Sequence, residues 1–451
     1  MTTNKTPQQI LGFWTLLSLI AGNMIGAGIY LVPSSLAPFG NIGLWAWVFT
    51  GIGALLLALI FANLSLRITK SGGPYAYCQE AFGDFVGFEI AYNYWIAAWI
   101  GNAALVVSII GYLAYFFPNL PHQKLLSFII ELALIWTFTA VNILGLRSSG
   151  FVQVVTTILK LLPLVLLIAL GLFVVNPQHF TTGNIPQAHP WQSLNSAAIL
   201  TLWSFIGLES ATIPSEAAVN PKTIWRATVF GVVGVTIIYF ISTIAIIGVI
   251  PYAQLKSSVS PFADAAQIIF GHFAALLHMS TATAEKFGGA LVAGGALVAA
   301  IGALNGWTLV QAQLPLAATR DNLFPAIFGK TNSEGTPVWS LIISSTVISI
   351  FLCFTLSDNL VKEFTFIILL ATMSQLIPYF FTCCAEMYFL FTQPEKFNSR
   401  NFSKYLTLCL LAAAYAFWAV AGAGQDVISY GMLLFLLGVP MYAWIKRKKN
   451  K

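Results

Sequence analysis

About every 35 residues this chain carries an apolar stretch of roughly 18 or more residues almost free of charge, long enough to cross a bilayer as one helix. Such stretches fall near 11 to 37, 43 to 66, 85 to 117, 125 to 144, 151 to 175 and 195 to 217. They return near 227 to 250, 287 to 317, 338 to 356, 363 to 390, 405 to 422 and 428 to 445. Hydrocarbon offers backbone amides no hydrogen-bond partner, so the stretches must be helical. The chain therefore reads as an all-α polytopic membrane protein of about 12 transmembrane helices, one domain over 1–451. A soluble fold is excluded: 8% of residues are charged, against about 25% in an ordinary globular domain.

Orientation follows from the loops, because Lys and Arg are retained on the cytoplasmic side. Sixteen of the 21 Lys and Arg residues, among them Arg67, Lys70, Arg147, Lys222 and the tail from Lys446 to Lys451, lie on the side of the termini. Lys124, Lys256, Lys286 and Lys362 lie on the other, so both termini are expected in the cytoplasm of a cell bounded by an inner membrane. The net charge of +6 is thus a topology signal and a contact with anionic lipid, with nothing to suggest nucleic acid. The first run has no small-residue cleavage site behind it and reads as a retained helix. Five cysteines lie at or inside apolar stretches without metal spacing and read as small buried hydrophobes. No Ser/His/Asp or metal constellation appears, and His179 and His189 lie in loops, so neither an enzyme nor a cofactor is expected.

Two of the stretches are interrupted. The first contains Gly22-Asn23-Met24-Ile25-Gly26-Ala27-Gly28, and the sixth contains Trp203-Ser204-Phe205-Ile206-Gly207-Leu208-Glu209-Ser210, followed by Pro214. A packing groove is one reading of the first. Two Gly-interrupted helices five spans apart point instead to an inverted-repeat transporter, with repeats over about 11–175 and 195–390 and two further helices over about 405–445. Unwinding frees backbone groups that a polar ligand can satisfy, and the N-terminus of a half-helix carries partial positive charge. A substrate carboxylate is expected at the amides of Gly26, Ala27 and Gly28, and its amino group at the carbonyls of Trp203, Phe205 and Ile206.

These residues, with Ser71-Gly72-Gly73-Pro74-Tyr75-Ala76-Tyr77, Asn220-Pro221, Tyr94 to Asn102, Gly306-Trp307-Thr308-Leu309 and Ile377-Pro378-Tyr379, resemble the amino acid, polyamine and organocation superfamily. Within it, the chain is similar to bacterial arginine/agmatine antiporters. The resemblance implies a leucine-transporter fold with a 5+5 inverted repeat, alternating access, amino acid or amine substrates, no cofactor, and the option of a homodimer. It implies a gate at Trp203, packing of Trp307 on the substrate's cationic side chain, and a distal pocket lined by Ala97, Ala98 and Asn102. It gives Tyr94 and Tyr379 gate positions and lets Glu209 couple the outer gate. For Trp307 the residue itself agrees: a desolvated cation over an indole face gains ~2 kcal/mol without a buried carboxylate. Three positions depart from the antiporters: Ala27 and Ala371 stand for serines and Ala98 for a cysteine, each removing a polar contact. Asn305 adds a polar group two residues before Trp307.

Charges inside the spans have two readings each. Glu209 is expensive at a helix centre unless it gates or caps freed amides. Glu89 and Glu131 lie nearer helix ends and read as snorkelling or packing groups. Trp95 and Trp99, four residues apart, share a face and read as packing. Lys160 sits deep in the fifth stretch, where the antiporters carry alanine and proton-coupled relatives carry a lysine in place of a bound sodium ion. It is either a proton-coupling group linking the first and eighth helices or a fixed tether. Exchange of a cationic amino acid for its decarboxylated amine is the leading expectation, with proton-coupled amino acid uptake as its rival. A nutrient sensor is disfavoured because no signalling domain is present.

Overall fold

The computed structural model describes residues 11–144, 146–182, 189–333, 335–355, 359–393, 401–422 and 424–449. The side chains of Ala27, 146–158, Thr182, Ala217 and 448–449 lie outside the described residues, so nothing follows here for Ala27 or Arg147 beyond their backbone.

The helices of the first half are α1 (Phe13–Met24), α2 (Ala27–Leu36), α3 (Ile42–Ser65), α4 (Pro74–Phe82), α5 (Asp84–Leu113), α6 (Lys124–Ile143), α7 (Leu146–Gly171), α8 (Pro177–Thr182) and α9 (Pro190–Trp203). The second half has α10 (Pro221–Val249), α11 (Tyr252–Leu255), α12 (Pro261–His272), α13 (Thr281–Arg320), α14 (Val338–Thr355), α15 (Leu360–Thr392), α16 (Phe402–Ala421), α17 (Gln425–Leu436) and α18 (Gly438–Lys449). Among the described residues no strand is formed beyond the single bridge of Leu11 with Ala218.

Ten units are long and apolar enough to span a bilayer, α1 and α2 together forming one and α17 with α18 another. The two other expected spans fall short for different reasons. The sixth leaves the α-helix at Trp203 and continues in 3-10 turns over Ser210–Thr212 and Ser215–Ala217. In the fifth, only Leu159–Gly171 of α7 qualifies within the described residues.

Helix ends follow capping chemistry that hydropathy does not register. α10 begins at Pro221, a turn and a half before its apolar run, because Asn220 Oδ1 accepts from Thr223 N at 2.9 Å. The expected Ser71–Tyr77 loop is helical from Pro74 onward, a proline at the first helical position. Amphipathic α12, too short to span, was not apparent as an element.

Burial defines the layers. In its most apolar window α5 is 94% buried, whereas the α17–α18 unit is 11% buried, so α5 is the axis and the last span a lipid-facing rim. α13 and α15 pack along α5. This burial overturns snorkelling for Glu89 and Glu131, which are 3% and 1% exposed. Among the described residues, ion pairs join Arg67 with Glu386 at 2.6 Å, Lys70 with Asp321 at 2.9 Å and Lys446 of α18 with Asp84 at the start of α5 at 2.8 Å.

Candidate functional site

The break after α1 takes three carbonyls out of the helical ladder, and three side chains from other helices bond to them. Gly26 N turns back to Met24 O at 2.9 Å instead of reaching Gly22 O. Gly22 O then accepts from Lys160 Nζ of α7 at 2.5 Å. Asn23 O accepts from Trp307 Nε1 of α13 at 3.4 Å, and Met24 O accepts from Tyr239 Oη of α10 at 2.6 Å. Each such group would cost several kcal/mol if left unpaired in hydrocarbon, on the order set by unsatisfied amides. On the far side of the break, α2 starts at Ala27 with no side-chain cap, so its first amides have no helical partner.

The second break is built differently. Trp203 O and Phe205 O accept from Ile206 N at 3.2 Å and Leu208 N at 3.1 Å, so tight turns occupy two of the three carbonyls that were expected to hold an amino group, while the third residue, Ile206, lines the cavity. Gly207 is at φ +107°, a conformation that side-chain-bearing residues avoid. A Cβ there would meet Asn23 at 3.1 Å and Trp307 at 3.4 Å. The two breaks touch directly: Tyr239 Oη also reaches Ser204 O at 3.0 Å, and Asn23 Nδ2 donates to Ser210 Oγ at 2.8 Å.

Between the breaks lies a narrow cavity of about 30 Å³, room for a water or two in this conformation. Asn23, Met24, Gly26 and Gly28 line it from the first break, Trp203, Ser204 and Ile206 from the second. Ala97, Ala98, Gly101 and Leu105 of α5 and Ala303 and Trp307 of α13 complete it. Among the described residues, no acidic or basic side chain lines it. The Trp203 indole lies between two glycines, where a Cβ on Gly28 would come within 3.1 Å of it and one on Gly101 within 3.0 Å.

Glu209 stands off the cavity. Its carboxylate accepts from Tyr94 Oη at 2.6 Å, Tyr379 Oη at 2.5 Å, Gln375 Nε2 at 3.2 Å and Gly207 N at 3.2 Å. One side chain therefore ties α5, α15 and the second break together, and four donors offset the cost of burying its charge. Lys160 is fully buried on the other flank. Its expected second link, to the eighth span, is not among its hydrogen bonds in the described residues. α7 meets α13 through packing instead, where a Cβ on Gly295 would clash with Pro163 at 2.2 Å.

Several other residues of the expected site lie off the cavity wall. Phe205 packs on Trp47 and Tyr239, at 6.1 and 5.5 Å between ring centres. Ile25 belongs to the apolar core, and Asn102 bonds to Gln311 of α13 at 2.7 Å. Ala371 is buried in α15 and Asn305 faces α6, accepting from Asn142 Nδ2 at 3.1 Å. Trp95 donates to Ser344 Oγ at 2.8 Å and Trp99 packs on Phe351, both as structural contacts. Sequence reasoning missed Tyr239, Gln375 and Gln311, and it named Ser210 only as part of the second break. For the glutamines the signal was present, since an uncharged polar residue inside a span is the cue that had singled out Asn102.

Comparison with known proteins agrees with this architecture. The family model for amino acid permeases matches residues 11–442. A Bacillus subtilis (strain 168) protein, provisionally named an arginine/ornithine antiporter, is 32% identical over 98% of each chain. An arginine/ornithine antiporter of Pseudomonas aeruginosa is 30% identical, covering 99% of this chain and 92% of its own. The cadaverine/lysine antiporter of Escherichia coli (strain K12) is 30% identical over 96% of this chain and 94% of its own. A match over nearly the whole chain, on a helical fold whose breaks enclose a cavity, places the protein: it belongs to the amino acid permease family, whose members are multi-pass membrane transporters and not enzymes.

Proposed function

We propose that this chain is an antiporter of the cytoplasmic membrane that exchanges a cationic amino acid of the arginine class for a smaller cation, its decarboxylated amine, agmatine-like. The observation that carries the reading is the cavity itself, with uncapped α2 amides at one side and the Trp307 indole at the other. The amides suit a carboxylate and the indole a desolvated cation, and among the described residues no carboxylate lines the cavity to compete for the charge. The relatives' names pair arginine with ornithine and lysine with cadaverine, so ornithine is the alternative counter-substrate. Alternating access on a 12-span leucine-transporter fold, repeats at about 11–175 and 195–390 and cytoplasmic termini are parts of the same proposal. The loop charges support it.

The test is counterflow in proteoliposomes, with arginine, ornithine, lysine, agmatine and cadaverine as internal and external pairs. Arginine entering only against internal agmatine or ornithine is the expected result, and uptake into empty vesicles contradicts obligatory exchange. One observation favours a second reading, proton-coupled uptake: Lys160 holds a carbonyl of the first break with its ammonium.

Glu209 gives a separate expectation. Replacing it by Gln puts an amide donor against the two tyrosine hydroxyls and the Gly207 amide, breaking at least one contact of the α5–α15 tie. Glu209→Gln should slow exchange about tenfold, with substrate affinity changed less than threefold and an altered pH profile; losing one charged hydrogen bond of about 1.5–3 kcal/mol is the basis. Parallel rates for mutant and parent at every pH remove Glu209 from gating.

A further inference from the structure

Just beyond the cavity wall lies a polar pair that is incomplete. Asn102 Nδ2 donates to Gln311 Oε1 at 2.7 Å, yet Asn102 Oδ1 and Gln311 Nε2, both buried, have no hydrogen-bond partner among the described residues. Asn102 is 0% and Gln311 1% exposed, so bulk solvent does not reach them. A purely structural tether between α5 and α13 would close both bonds of an amide pair, or be apolar. Reversing both amides changes nothing in kind: one donor and one acceptor still stand unused.

The pair is placed where a substrate's end would arrive. Asn102 follows Gly101 and lies one turn from Ala98, both on the cavity wall, and Gln311 lies one turn beyond Trp307, about 6 Å along α13. A chain with its α-carboxylate at α2 and its methylenes along Trp307 therefore points its terminal group at this pair. An ammonium or guanidinium brings donors only. It can serve Asn102 Oδ1, and it leaves the Gln311 amide donor unused. A terminal carboxamide or ureido group brings one NH₂ and one C=O, the complement of the two unused atoms.

We propose that Asn102 and Gln311 form a head-group receptor for neutral amide-terminated amino acids, carboxamide or ureido, which the protein exchanges alongside cationic ones. The inference rests on the Trp307 cavity being the substrate site, as in the exchange reading above. Gln311 is then the specificity-determining residue, because in this orientation its Nε2 is the donor of the two unused atoms and can meet a substrate carbonyl. A site built to pair with a polar substrate group discriminates strongly against analogues that lack it.

The experiment uses the full-length protein in proteoliposomes loaded with unlabelled ornithine, with labelled citrulline, glutamine and ornithine outside. In the parent, citrulline entry is expected within tenfold of ornithine entry. Gln311→Leu, which removes the donor, should lower the citrulline-to-ornithine ratio at least tenfold. Gln311→Glu should lower it too, by replacing the donor with an acceptor that suits a cation. Thermal unfolding of each variant identifies a misfolded one, and either folded variant suffices. A parent that exchanges ornithine but excludes citrulline and glutamine overturns the receptor and leaves the exchange reading standing. An unchanged ratio in the folded variants also overturns it and makes the pair a tether. Citrulline entry without labelled ornithine entry would instead retain the receptor and remove the reading of cationic uptake, and entry of neither removes both.

Discussion

Trp307→Leu should weaken binding of a cationic substrate about 30-fold, the equivalent of the ~2 kcal/mol that a desolvated cation gains over an indole face. Leucine keeps an apolar side chain at the wall but offers no π-face. The loss adds to a second one, because Trp307 Nε1 is the donor that holds Asn23 O at the first break. A neutral substrate of the same length feels only the second loss, so the cation-to-neutral affinity ratio is the sensitive measure. Isothermal titration of detergent-purified protein with arginine checks the effect, with thermal unfolding as the control for folding. Equal arginine affinity in mutant and parent would show that Trp307 does not carry the charge.

The second large effect is expected at Lys160. Lys160→Met keeps an unbranched side chain but removes the ammonium from Gly22 O, a carbonyl that the broken helix cannot satisfy from within. An unpaired buried acceptor costs about 1–3 kcal/mol, so the variant should unfold at lower temperature. Its transport phenotype separates the two roles. If protonation of Lys160 biases the first break between its two openings, the ratio of uptake with and without an imposed pH gradient falls to about one. The measurement is labelled arginine uptake into proteoliposomes, acid outside. A mutant ratio equal to the parent's makes Lys160 a fixed tether and favours pure exchange.

Both residues stood out in the sequence, but for reasons that covered only half of what they do. Lys160 was conspicuous as a basic residue far from either end of its span, and Trp307 by its motif. Neither reading anticipated that the two side chains, with Tyr239, divide the three carbonyls of one helix break. Asn102 was flagged because it is polar at mid-span. Its partner is 209 positions away, so only the packing of α13 on α5 could name it. Phe205 shows the converse: it lies inside the motif, and the turn that follows Trp203 rotates its ring onto Trp47 and Tyr239, away from the cavity.

What the sequence determined by itself was most of the long apolar helices, that they cross a membrane, and the two places where they break. These depend on local terms: apolar length against bilayer thickness, and glycine where a backbone must unwind. The α5 axis, the pairing of the two breaks and the identity of the groups that satisfy them were decided only by the tertiary structure. Lipid is as apolar as leucine, so hydrophobicity cannot say which helix faces which. That choice falls to close packing at Gly26, Gly28 and Gly207 and to polar atoms that must find donors inside the protein, and both are properties of residues far apart in the chain.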